Sequence, residues 1–170
     1  QLLQANLDYL VYDYLAEITM AILARMRAKD PEKGYATDFV TGAMAPNLKA
    51  IAKAGVKVIS NAGGVNPSAC AAALRAEIEK QGLSLKVACI EGDDLMGRID
   101  DLAARQIHDM FSDAAFPDPK SVGSVNAYVG GFPIARALAR GADIVVTGRC
   151  VDSAVTLGAC IHEFGWTEDM

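Results

Sequence analysis

The chain predicts an α/β fold: a mostly parallel β-sheet with flanking helices, three-layer and Rossmann-like, with a barrel as the alternative closure. Three observations predict it. Apolar, β-branched runs stop at short Gly-, Asn- or Asp-rich turns and helical patterns follow, at residues 61–67, 130–133 and 148–153. Short connections between these elements demand right-handed crossovers, and so parallel strands. Alanine is abundant and only 6% of residues are aromatic, which suits close packing of helix on sheet. In such folds ligands bind at the carboxyl ends of the strands.

Residues 7–14 (LDYLVYDY) predict the first strand. Residues 17–29 follow as a helix, because Ile18, Ile22, Leu23 and Met26 recur at helical spacing. Residues 30–34 (DPEKG) are turn chemistry. A second helical region covers 37–54. Pro46 kinks it or starts a new helix, and Gly42, four residues back, softens the clash of the ring. Gly55 closes this helix, and 56–60 (VKVIS) is the next strand. Asn66 caps and Pro67 opens a helix that runs to about Lys80 and ends at Gly82. Residues 85–90 (LKVACI) form a strand that exits at Glu91-Gly92-Asp93-Asp94. A weaker amphipathic helix starts at Leu95 or Asp100 and ends at Phe111, and 116–120 (FPDPK) is a surface connection. Residues 124–129 predict a strand, 133–140 a helix capped by Gly141, and 143–147 (DIVVT) a strand. Asp152 or Ser153 caps a last helix that ends near Glu163. The count is five strands.

At 170 residues the chain predicts a single α/β domain, residues 1–170, with a real core. A net charge of −5 offers no basic stripe for phosphate backbones, so nucleic acid is not an expected partner. No apolar run approaches the roughly 18–20 residues of a membrane span. Residues 1–6 lack the basic and apolar regions of a secretory signal. Both ends read as cut, with no initiator Met and no stop pattern before Met170, which predicts a piece of a longer polypeptide. Cys70, Cys89, Cys150 and Cys160 form no CxxC pair, and His108 and His162 stand apart, so zinc is not predicted. Buried free thiols fit a reducing compartment, the cytoplasm, or the mitochondrial matrix in a eukaryote.

The Asn61–Pro67 turn is the first ligand-binding candidate. Gly63 and Gly64 let backbone approach a ligand, N–H groups at the helix start attract an anion, and Asn61 and Asn66 add amide donors. The pattern is neither GxGxxG nor a Walker loop. Glu91, Asp93 and Asp94 put three carboxylates at a strand end. They form an acidic helix start, a Mg²⁺ site or, with a pKa raised by burial, a general base. Arg149 follows the cleanest strand, and its planar fork matches a carboxylate or phosphate. Asp152 pairs with Arg149 or caps the helix. Cys150 has no sequence-adjacent His to activate it. Glu17, with Asp13 and Tyr14, sits where the first strand meets its helix, placed for proton transfer. Asn126 and Tyr128 alternate along the predicted fourth strand and share a face. His162, in the last helical turn, is read as structural.

The same loops carry a resemblance. Leu7-Asp8-Tyr9-Leu10-Val11 with Leu15-Ala16-Glu17, Asn61 through Pro67, Glu91-Gly92-Asp93-Asp94, Asn126-Ala127-Tyr128, Gly141 through Arg149, Asp152-Ser153 and His162-Glu163-Phe164-Gly165-Trp166 are its blocks. Together they resemble the N-terminal core domain of the acyclic terpene utilisation protein AtuA family, over nearly the whole chain. Family members are longer at both ends, and a Gly-rich strand-turn segment precedes the part matched here, so the resemblance implies an internal fragment of that core domain. It implies catabolism of branched isoprenoids such as citronellol and geraniol, handled as CoA thioesters. The matched positions are Glu17, Asn61, Gly63, Gly64, Asn66, Glu91, Asp93, Asp94, Asn126, Arg149 and Asp152.

The expected role is therefore to act on or bind a branched acyl-CoA in a hydratase- or lyase-type step. Glu17, Glu91 and Asp93 are the catalytic candidates. Asn61, Gly63, Gly64, Asn66, Asn126, Arg149 and Asp152 are the ligand-binding ones. The alternatives are a non-catalytic partner of a biotin-dependent acyl-CoA carboxylase and, more weakly, a metal-dependent hydrolase built on Glu91, Asp93 and Asp94. No cofactor is expected beyond an acyl-CoA ligand, and Mg²⁺ is disfavoured. Expected partners are the acyl-CoA, carboxylase subunits and further copies of the chain in a homo-oligomer.

Overall fold

The structure, a computed structural model, describes residues 5–169. The first four residues of the segment read for a signal, and Met170, lie outside the described residues. Four strands, β1 (Tyr9–Tyr12), β2 (Lys57–Gly64), β3 (Val87–Ile90) and β4 (Ile144–Gly148), form a parallel sheet in the order β1-β2-β4-β3. Helices lie on both faces, as the sequence predicts. The two central strands are apolar on both sides, as strands covered by helices on both faces must be. Val58, Ala62, Ile144 and Val146 pack on one face with a π-helical turn (Phe39–Met44), α2 (Leu48–Ala54) and α3 (Pro67–Lys80). Ile59 and Val145 pack on the other with α5 (Phe132–Ala139) and α6 (Ala154–Phe164). Among the described residues no helix is long and apolar enough to cross a membrane.

α1 (Glu17–Lys29) has the predicted bounds but buries a different face. Met20, Leu23 and Ala24 pack with Leu15 and Val65, whereas Ile18 and Ile22 are exposed. The helix rests on the exit of β2 through a narrow stripe, so it has no second surface against which to bury both isoleucines. The predicted helix 37–54 is two pieces. The N–H of Ala45 reaches back five residues to Val40 O at 2.8 Å, and regular α-geometry resumes only past Pro46, at Leu48. Pro46 lacks the N–H that would continue the ladder. Gly55 ends α2 in the left-handed region and Asn66 caps α3, both as expected.

Three further readings are corrected. Residues 61–64 are not a turn but the end of β2. Pairing with β4 is irregular between Ser60 and Gly64, and a Cβ at Gly63 would lie 2.4 Å from Thr147 O. The helix read to Phe111 is only α4 (Ile99–Ala104). Gln106 takes a positive φ, and the Asp109 carboxylate accepts the N–H groups of Phe111 and Ser112, a local alternative to helix. Residues 124–129 are not a sheet strand. They lie across the carboxyl end of the sheet, bridging Asn126 to Asp94 and Val129 to Cys150. Ala127 N–H donates to Asp93 O and Val129 N–H to Arg149 O, so this segment laces together the exits of β3 and β4.

Candidate functional site

The carboxyl ends of β1, β3 and β4 and the 124–129 segment converge on Arg149. This residue follows β4 directly and is 3% exposed. Its guanidinium is held on all sides. Nη1 donates to Leu15 O at 3.1 Å, Cys150 O at 3.3 Å and Asp152 Oδ1 at 2.8 Å. Nη2 donates to Glu17 Oε1 at 3.3 Å and to the Tyr128 hydroxyl at 3.0 Å. The guanidinium carbon also lies 4.2 Å from the centre of the Tyr128 ring, a cation–π contact. Asp152 thus pairs with Arg149, and α6 begins without a side-chain cap.

Tyr128 O–H donates to Glu17 Oε1 at 2.9 Å, so hydroxyl, carboxylate and guanidinium form one connected group. It faces a cleft of about 220 Å³, completed by Met20 and Ala21 of α1 and by Ser124 and Asn126 of the crossing segment. The Glu17 side chain is 82% exposed. Its own backbone N–H, then the Tyr128 hydroxyl and the Arg149 charge, hold its carboxyl below the ordinary glutamate value. Glu17 is therefore ionised throughout the neutral range, the form that can accept a proton.

Asp93 braces this group from beneath. It is buried, and Oδ2 accepts the backbone N–H of Arg149 at 2.8 Å and Asn126 Nδ2 at 2.9 Å. Burial pushes its carboxyl above the usual range, while the two donors pull it back. Gly148 lies against this carboxylate. A Cβ there would sit 2.4 Å from Asp93 Oδ1 and 2.6 Å from Oδ2, so only glycine lets β4 exit beside the acid. Asn61 does the same for β1 from inside the sheet. Fully buried, it accepts Tyr14 N–H at 2.7 Å and donates to Asp13 Oδ1 at 2.7 Å.

The remaining sequence candidates lie elsewhere. Asn66 caps α3 through Ala69 N–H and donates to Pro31 O and Lys33 O. Gly63 and Gly64 face Thr147, Pro67, Leu23 and Gly34, which fill the space beside them. Asp94 pairs with Arg27 at 3.1 Å, and Arg27 also donates to Val65 O. Glu91 joins Asn66, Asp93 and Asp94 at a separate depression of about 140 Å³ beside the start of α3. Among the described residues no group of three or more His, Cys, Asp or Glu is placed to hold a metal ion. Asp93 bonds the backbone N–H of Arg149 and Asp94 pairs with Arg27, so the two neighbouring acids take partners in different directions although both line this depression. Ser124, Met20 and Ala21 are cleft residues that no local motif marks. Tyr128 was legible as an alternation partner of Asn126 and as part of the Asn126-Ala127-Tyr128 block.

The arrangement sets an ionised carboxylate and a phenol on the rim of a small cleft, backed by a buried cation. It can polarise a carbonyl and move one proton. The family model described as acyclic terpene utilisation family protein AtuA matches residues 1–170. No curated protein and no solved structure matches the chain.

Proposed function

The chain belongs to the acyclic terpene utilisation AtuA family, and from that premise we propose that its carboxyl-edge cleft takes the reacting end of a branched acyl-CoA and catalyses a hydratase- or lyase-type step. The observation that carries the reading is the connected group of Glu17, Tyr128 and Arg149 at the cleft. At about 220 Å³ the cleft is smaller than a typical whole-ligand site, which suits a thioester head with the remainder outside.

In the hydration direction, Glu17 takes a proton from water as the water oxygen bonds to the β-carbon of an α,β-unsaturated thioester. The π pair moves toward the thioester carbonyl, whose growing negative charge Tyr128 and Arg149 stabilise. The proton then passes to the α-carbon, and the lyase direction is the reverse. The low pKa of Glu17 supports a role as acceptor and argues against one as a neutral-pH acid donor in the resting protein.

Calorimetry with geranyl-CoA and free CoA is the first test. Acyl-dependent binding that Tyr128→Phe weakens, together with turnover that Glu17→Gln abolishes in a folded protein, is the expected result. Retained turnover in Glu17→Gln overturns the assignment. A protein that binds neither thioester but co-purifies with a biotin-dependent carboxylase replaces it with the non-catalytic partner reading.

A further inference from the structure

The outer edge of β3 forms the floor of a groove of about 470 Å³ that has no part in the site above. Its walls carry Arg75 from α3, Arg136 from α5, Arg140 at the C-terminal cap of α5, and Lys86 at the foot of the strand. These are four of the sixteen Lys and Arg residues in a chain of net charge −5, and no carboxylate lines the groove. Among the described residues the side chains of Lys86, Arg136 and Arg140 make no ion pair, and Arg75 donates only to Val87 O, at 2.9 Å.

The backbone of this edge is partly open: Arg75 occupies Val87 O, while among the described residues Val87 N–H and both backbone groups of Cys89 make no hydrogen bond. Lys86 O accepts from Ile144 N on β4, so by the alternation of a parallel ladder the N–H and C=O groups of Val87 and Cys89 face outward. An exposed row of this kind is a template for a further strand. Arg136 on α5 and Arg140 at its C-terminal cap are four residues apart, about 6 Å along the helix axis. Alternate side chains of an extended chain repeat at about 6.6–6.8 Å, so two acids on one face of an added strand fall opposite both arginines. A second copy of this edge would set like charges against each other, which opposes self-pairing.

We propose that the β3 edge binds an extended acidic segment of a partner protein as an added strand. Backbone pairing to Val87 N–H and to both groups of Cys89 supplies affinity, and the four cations select acidic residues at alternate positions.

Short blocked peptides of alternating Glu and Val, or Lys and Val, test this by fluorescence anisotropy at about 0.1 M salt, where screening still permits short-range pairing. The Glu peptide should bind and the Lys peptide should not. Arg136→Glu with Arg140→Glu should weaken binding at least tenfold with an unchanged circular dichroism spectrum. Should that pair fail to fold, Arg136→Gln with Arg140→Gln serves in its place. Methylating alternate backbone nitrogens of the Glu peptide should abolish binding. Equal affinity of the methylated peptide, displacement by inorganic pyrophosphate at equal concentration, or no effect of the arginine changes would each overturn the proposal. Neither arginine lines the Glu17–Arg149 cleft, so failure here leaves the proposed function standing.

Discussion

Replacing Arg149 with Met separates two accounts of what this residue stabilises. Its ion pairs are with Glu17 and Asp152, whose side chains are 82% and 64% exposed. Exposed pairs contribute little, because water screens them and ordering two side chains costs entropy. Its bonds to Leu15 O and Cys150 O are of another kind. They satisfy carbonyls packed beneath a side chain that is 3% exposed. A buried acceptor left without a donor costs about 1–3 kcal/mol, so losing both costs about 2–6 kcal/mol, part of it recovered where water enters. Against a typical total of about 5–15 kcal/mol that is a large share. Methionine keeps much of the volume and removes every donor, so the measured change reports hydrogen bonding rather than a cavity. We expect Arg149→Met to lower the thermal midpoint by about 4–24 °C, taking about 2–4 °C per kcal/mol for a chain of this size, with the upper end reduced where water enters. The double variant Glu17→Gln, Asp152→Asn should stay close to wild type. Thermal and urea unfolding followed by circular dichroism measure both. Equal losses in the two variants would refute the reasoning and assign the stability to the ion pairs.

Three other outcomes follow from the same geometry. Gly148→Ala places a methyl against the Asp93 carboxylate and should cost about 1–3 kcal/mol, the range for overpacking, read from urea midpoints; an unchanged midpoint would show that the β4 exit is free to shift. Burial raises the Asp93 pKa, so the folded state binds this proton more readily than the unfolded one. Its contribution is present at low pH and is lost as pH rises from the ordinary aspartate range through the raised value. Asp93→Asn keeps an acceptor for Arg149 N–H and Asn126 but does not titrate, so its stability relative to wild type should increase across that window, and a constant difference would contradict the assignment. Finally, Cys70 and Cys150 are buried, and burial pushes the Cys70 thiol up to about 12. A thiol-exchange titration of the native protein near pH 8 should leave both unreacted, whereas denaturant should release all four thiols. Rapid native reaction of four would disprove the packing of α3 and β4.

Particular residues show why some of this was legible. Asn66-Pro67 and Gly55 read correctly because capping chemistry is local: the group that needs a partner and the side chain or turn that supplies it lie within a few residues. Arg149 and Glu17 were legible as candidate site residues because each lies just past a strand pattern at the edge where such sheets gather loops. Tyr128 was placed on a strand that does not exist. Residues 124–129 alternate as a strand does, but their hydrogen bonds go to the loops after β3 and β4, partners that no local pattern names. The Asn61–Gly64 run misled in the opposite sense, since these turn-forming residues continue β2, with Gly63 too close to Thr147 O of β4, and Gly64 too close to Leu23 and Gly34, for a side chain.

By itself the sequence determined the parallel α/β class, the places of the β2, β3 and β4 strands, most helix starts, and the edge of the sheet where polar side chains gather. These depend on periodicity and capping, which act over a few residues. Only the tertiary structure decided which polar residues meet. It joined Glu17, Tyr128 and Arg149, turned Asp93 inward to hold them, and sent Asp94 to Arg27. The physical reason is that a buried polar group must find a partner wherever the packing of the whole chain puts one. Neighbours along the chain, as Asp93 and Asp94 show, can satisfy that demand in opposite directions.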